Sequence, residues 1–163
     1  MIEPRLYLGN YRSGLAALAG DERPVMPTKR VAPFAGVVSL CPVPLYAHET
    51  IPRPRSVHTK WMHVPIADGG NGESEFESAL ERILPFVFDR MQIGNVVVHC
   101  AAGMSRSVSV VAAALCSKGA SVDDAFERVA RAKSAALAIE GAPTTFIIAP
   151  AGEFRAALRR IFR

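Results

Sequence analysis

The run VVVHCAAGMSRS, residues 96–107, constrains the fold more than any other stretch of the chain. Val96, Val97 and Val98 are consecutive β-branched apolar residues, the pattern of a strand buried on both faces. A few small and polar residues follow. Then SVVAAALCSKGA reads as a helix that stops near Gly119. Strand, tight loop and helix N-terminus are therefore predicted in immediate succession. Gly103 falls in mid-loop, where the backbone has to curl without side-chain obstruction. Ser105 and Ser107 flank Arg106 at the helix start, where hydroxyls cap free N–H groups.

The rest of the chain alternates in the same way. Short strands are predicted over residues 6–8, 37–40, 59–66 and 96–99. Helices are predicted over residues 13–19, 75–91, 105–117, 122–136 and 152–161. Residues 21–27 read as a polar, proline-containing loop. CPVPLYAHETIPRPRS carries four prolines and is expected to be irregular. Pro85 predicts a kink or break in the helix that contains it. Strands alternating with helices imply an α/β fold, a central mixed but mainly parallel sheet flanked by helices. A chain of 163 residues, half of them apolar, suffices for one domain with a real core, taken as residues 1–163.

Cys100 and Arg106 are separated by five residues across the predicted loop. A helix N-terminus carries unsatisfied N–H groups and a partial positive charge. Loop amides converging there bind an anion, phosphate being the natural guest. The same field favours a thiolate over a thiol. Arg106 adds a planar fork that matches two phosphate oxygens, which a lysine cannot do. His99 orients the loop or tunes the thiolate. Ser107 is either a plain helix-start residue or a hydroxyl that bonds the sulfur and helps it leave. A phosphate-ester chemistry with Cys100 as nucleophile follows; the competing reading is a buried structural cysteine.

Cleaving a phosphate ester releases an oxyanion that needs a proton. A positioned carboxylic acid supplies it, then acts as base toward the water that frees the phosphocysteine. Asp68 is the candidate. It ends the strand-like WMHVPI and opens DGGNG, an exposed loop with three glycines. The competing reading is a turn aspartate that supports its own backbone. Glu73 and Glu75 compete weakly, being better placed to favour a helix N-terminus.

HCAAGMSRS resembles the signature of the cysteine-dependent protein tyrosine phosphatases, most of all their dual-specificity branch. IEPRLYLGN, GVVSL, HVPIAD with Glu73, and PAGEFRAAL are similar to further segments of that branch, so the likeness runs from about Ile2 to Leu158. The resemblance implies a cysteine-dependent hydrolase of phosphotyrosine and of phosphoserine or phosphothreonine on proteins. It implies Cys100, Asp68, Arg106 and Ser107 as catalytic residues, and a substrate loop of Ala101, Ala102, Gly103, Met104, Ser105 and Arg106. No metal and no cofactor are implied. Some relatives carry a resolving cysteine where Cys41 stands, so Cys41 is either a disulfide partner for an oxidised Cys100 or an inert core thiol. The chain departs from the family pattern in two places. Ala151 replaces an asparagine, and SAALAIEGAPTTFIIA separates Lys133 from Pro150 where the family has only a few residues. The apolar end of that segment packs on the core or forms a partner surface. The loop lacks the lysines common in phosphoinositide-specific relatives, which favours phosphoprotein. A phosphoinositide or other non-protein phosphatase, or a sulfurtransferase or arsenate-reductase type of enzyme, is the alternative.

A net charge of +4 suits an anionic substrate but is too dispersed to argue for nucleic acid. The arginines at 53, 55, 159, 160 and 163 read as solvated faces. No apolar run reaches membrane-spanning length. No basic segment followed by an apolar core marks a secretory signal. The three cysteines make no disulfide framework or metal pattern. A cytoplasmic monomer acting on phosphorylated protein is the expectation.

Overall fold

The computed structural model describes residues 1–20, 33–54, 56–138, 141 and 143–163. The loop expected over residues 21–27 and the arginine at 55 lie outside the described residues. Four strands, β1 (Leu6–Gly9), β2 (Phe34–Ser39), β3 (Lys60–His63) and β4 (Asn95–His99), form one sheet in the order β1-β4-β2-β3. All three strand pairings are parallel; Val98 lies between Leu8 of β1 and Val38 of β2. The sheet is thus more uniform than the mixed one expected. Its antiparallel contribution among the described residues is an isolated bridge between Glu3 and Leu6.

Among the described residues six helices pack around the sheet: α1 (Tyr11–Leu18), α2 (Glu73–Ile93), α3 (Arg106–Cys116), α4 (Val122–Leu137), α5 (Thr144–Ile147) and α6 (Gly152–Ile161). The valines of β4 explain the layering. Val97 joins Tyr7, Ala17, Leu18, Phe34 and Val37 beneath α1. Val96 and Val98 face the larger core built with α2, α3, α4 and α6. All three are fully buried, each side chain contributing about 1.5–3 kcal/mol from leaving water. β4 is therefore locked on both faces, and its C-terminal end is a rigid platform.

α2 runs through Pro85 without a break, contrary to expectation. Proline inside a helix costs about 3 kcal/mol. Pro85 is exposed, whereas Phe76, Leu80, Ile83, Val87 and Met91 bury on the opposite side. Burying those five side chains outweighs the cost by the same per-residue measure. The segment between α4 and α6 packs inward: Ile147 and Ile148 are buried in the main core, which decides between the two readings of that apolar stretch. The arginines at 159 and 160 are ion-paired rather than merely solvated, with Asp123 and Glu77 respectively.

Candidate active site

Residues 100–105 form the loop between β4 and α3, at the C-terminal edge of a parallel sheet, where open α/β folds place their ligands. The loop is shaped from outside. The carbonyl of Ala101 accepts from the Tyr11 N–H at 3.0 Å, and that of Met104 from the Ala149 N–H at 2.9 Å. Lys133 Nζ donates to the Gly103 carbonyl at 2.7 Å. A planar peptide points its carbonyl and its N–H in opposite directions, so these contacts turn loop amides inwards. Gly103 has φ +70°, and a Cβ there would lie 2.9 Å from the Gly9 carbonyl oxygen. Conformation and space both exclude a side chain.

At the centre sits Cys100, buried. Its Sγ accepts from the Gly103 N–H at 3.3 Å and lies 3.2 Å from Ser107 Oγ. Ser107 is thus a partner of the sulfur. The expected capping by Ser105 and Ser107 does not occur: no side chain caps α3. Ser105 Oγ instead accepts from the Ala151 N–H at 3.3 Å, because the unforeseen approach of the 149–151 segment supplies a closer donor. The first amides of α3 are left to an anion.

Arg106 opens α3 and is buried. Its Nη1 donates to the carbonyls of Ile66 at 3.1 Å and Leu40 at 3.4 Å. Its Nη2 meets Asp68 Oδ2 at 3.3 Å. Its Nε is buried with no partner among the described residues. A buried guanidinium N–H left unpaired costs free energy that an oxygen ligand removes. The guanidinium is thus held by its outer edge, with an unpaired donor and the Asp68-facing nitrogen available to an oxyanion.

Asp68 is half-exposed on the loop between β3 and α2. It faces the cysteine loop through Arg106, so the two predicted halves of the site do come together. The loop turns through Gly69 at φ +138° and Gly70 at φ +74°, conformations that favour glycine. Glu75 plays the helix role expected of it, accepting from the Gly72 N–H at 3.3 Å.

His99 is fully buried, and burial pulls its pKa down from 6.5 to about 4, so the ring is neutral. Trp61 Nε1 donates to Ser39 Oγ at 2.9 Å, and Ser39 Oγ lies 2.6 Å from His99 Nε2. The Cys100 carbonyl beside Nδ1 can only accept, so in the neutral ring Nε2 is the acceptor and the Ser39 hydroxyl donates to it. Nδ1 then carries the hydrogen toward the Cys100 carbonyl at 3.5 Å. His99 therefore contacts the backbone carbonyl of Cys100. Cys41 lies two residues past Ser39, and Ser39 pairs in register with His99. Burial pushes its thiol up to about 11; Arg106 opposes that rise and Cys100 adds to it. Both cysteines are free thiols.

Sequence reasoning did not assign Lys133, Ser39 or Glu153 to the site. Lys133 is half-buried; desolvation lowers its pKa and the Cys100 charge pulls it back up. Its place in the fourth turn of α4, far along the chain from the loop, carried no local signal.

A family profile described as dual specificity phosphatase, catalytic domain, matches residues 44–141, which contain both loops. The chain belongs to that family. A protein of Invertebrate iridescent virus 6 named Putative tyrosine phosphatase 123R is 35% identical over 80 residues, 48% of this chain. The match takes in 54% of that protein, so the chain spans about half the length of this curated relative. The fold is similar to crystal structures of human DUSP28, at 20% identity, TM-score 0.65 and coverage of 99% of this chain and 90% of that one. It is also similar to the human tyrosine phosphatase-like serine/threonine/tyrosine-interacting protein, at 23% identity, TM-score 0.66 and coverage of 99% and 93%. Among the described residues no helix is long and apolar enough to cross a membrane.

Proposed function

We propose that residues 1–163 act as one catalytic domain that hydrolyses phosphomonoesters on phosphorylated proteins through a phosphocysteine intermediate. The observation that carries this reading is the position of Cys100 Sγ. It lies within bonding range of Gly103 N–H and Ser107 Oγ, in the loop that leads into Arg106, whose Nε is a buried unpaired donor.

The phosphoryl group enters the loop, and its oxygens take the loop amides and the free donors of Arg106, displacing Asp68 from its contact with Nη2. Cys100 thiolate attacks phosphorus as the bond to the ester oxygen breaks. Asp68 gives that oxygen its proton, so a neutral alcohol or phenol departs. A water then attacks the phosphocysteine; Asp68 takes its proton, and the sulfur leaves as thiolate with the Ser107 hydroxyl donating to it. Inorganic phosphate and the starting enzyme result.

The test is hydrolysis of a generic aryl phosphate in EDTA. Activity is expected in the native chain and lost in Cys100→Ser; activity unchanged by that substitution sinks the reading. Phosphoprotein is favoured over phosphoinositide by the neutral loop side chains of Ala101, Ala102, Met104 and Ser105. Lys133 keeps the second reading in play, since it brings a cation to Gly103 that the loop sequence lacks. Turnover of phosphotyrosine, phosphoserine and phosphothreonine peptides against phosphoinositide vesicles separates the two. A cytoplasmic monomer is the setting proposed.

A further inference from the structure

Glu153 occupies the first turn of α6, outside the residues that the family profile matches. Its carboxylate accepts three hydrogen bonds from the loop that carries Asp68: Gly70 N–H at 3.1 Å, Asn71 N–H at 2.9 Å and Asn71 Nδ2 at 3.0 Å. Asn71 Nδ2 also donates to the Ala67 carbonyl at 2.8 Å, which closes residues 67–71 into one turn around Asp68. Arg106 grips the incoming limb of this turn at Ile66 and Asp68, and Glu153 grips the outgoing limb. Gly69 lies between the grips, and Gly70 is itself held by Glu153. The position of Asp68 therefore depends on both.

The base of the clamp is firm. Phe154, the next residue, is fully buried against Phe76 with ring centroids 4.5 Å apart. The short segment before it touches the other half of the site, where Ala149 N–H donates to Met104 and Ala151 N–H to Ser105 Oγ. One stretch of chain, residues 149–153, thus braces the cysteine loop with two bonds and the acid loop with three.

We infer that Glu153 is a positioning residue for leaving-group protonation: its carboxylate holds the 67–71 turn so that Asp68 stands over the cysteine loop when the ester bond breaks. The inference rests on the phosphatase reading with Asp68 as acid. Arg106 is engaged by substrate during turnover and releases Asp68 while keeping the Ile66 carbonyl, so Glu153 is then the side-chain grip described on residues 67–71 from outside them. A general acid displaced by about 1 Å loses about 100-fold in rate.

The test compares kcat/KM on phenyl phosphate, whose leaving oxygen needs a proton, with kcat/KM on 2,4-dinitrophenyl phosphate, whose leaving group departs as a stable anion. Glu153→Ala is expected to lower the first by about 10- to 100-fold and to leave the second unchanged. An equal fall on both substrates, or no fall on either, overturns the inference. Glu153→Gln removes only charge and one acceptor; it is expected to fall between native and alanine, and it carries the test if the alanine variant fails to fold. Asp68→Asn is run alongside. Its selective loss on phenyl phosphate establishes the acid, and adding Glu153→Ala to it is then expected to cost nothing more. A further loss in the double variant overturns the clamp alone. An Asp68→Asn enzyme with unchanged leaving-group selectivity overturns the acid role, and the clamp with it.

Discussion

The cysteine loop and the acid loop meet at Arg106 but are held in opposite ways. Cys100, Ser105, Arg106 and Ser107 are buried, framed by a strand locked on both faces and by a helix whose residues are all buried. Asp68, Gly69 and Gly70 are exposed, and what holds their turn comes from elsewhere in the chain: Arg106 on one limb, Glu153 on the other. The first loop is a preorganised anion cradle, whose dipoles have to be fixed before charge develops. On the proposed mechanism the second has to admit substrate and then deliver a proton, which requires an exposed and reversible hold. Rigidity and access are divided between the two loops, and Arg106 belongs to both.

The sharpest break of that comparison is at the acid. Asp68→Asn is expected to lower kcat/KM on phenyl phosphate by about 10²- to 10⁴-fold, the usual contribution of general acid catalysis. Trapping of phosphate in the loop should be retained, because the substitution leaves the cradle untouched. Loss of binding equal to the loss of rate would show that the two loops are not separable.

Arg106→Lys attacks the shared residue. Lysine keeps a charge but cannot hold Leu40, Ile66 and an oxyanion at once, since it lacks the planar fork. A fall of about 10²- to 10³-fold in kcat/KM is expected on activated and unactivated aryl phosphates alike. A fall confined to poor leaving groups would mean that Arg106 serves Asp68 more than the phosphate.

The buried side carries a pH signature of its own. His99 binds its proton at about 4 in the folded chain and at about 6.5 when unfolded. Between these values the unfolded state holds more protons, so stability is full above pH 6.5 and falls as pH drops toward 4. The loss is about 3 kcal/mol. The carboxylates with lowered pKa, Glu3 and Glu153, add their own loss from about 4.5 downward, overlapping the acid end of this window. Urea unfolding of the native chain and of His99→Gln at pH 7 and pH 4.5 checks it. The gap between the two curves should narrow on acidification; a constant gap would place His99 outside the linkage.

The smallest effect concerns Cys41. A thiol with pKa about 11 is almost wholly protonated at neutral pH, and only the thiolate attacks a sulfenic acid. Peroxide followed by disulfide mapping should give a Cys41–Cys100 bond in low yield at pH 7 and more as pH rises. Oxidation of Cys100 straight to the sulfinic acid, with Cys41 free at every pH, would leave Cys41 as a core residue only.

Much of this site was legible before folding, and unevenly so. Residues 96–107 could be read as strand, loop and helix because valine branching, Gly103 and the helical run act through neighbours along the chain. The details that failed there were long-range: Ser105 bonds Ala151 and does not cap α3, and Pro85 stays inside α2 because distant core residues hold both sides of it. Asp68 could be named from chemical need, but nothing local says that the DGGNG turn is tied to residue 153. Lys133 was visible only as a family landmark, and its bond to Gly103 needed α4 to be laid across the loop.

By itself, then, the sequence determined an α/β layout around β4 and named Cys100, Arg106 and Asp68 as candidates, because each follows from short-range periodicity or from the chemistry of a residue type. The tertiary structure alone decided how the acid is held. Asp68 is placed by Arg106 and Glu153, and the cysteine loop is shaped by Tyr11, Lys133 and Ala149. Hydrogen bonds between residues far apart in sequence are set by packing, which no local pattern encodes.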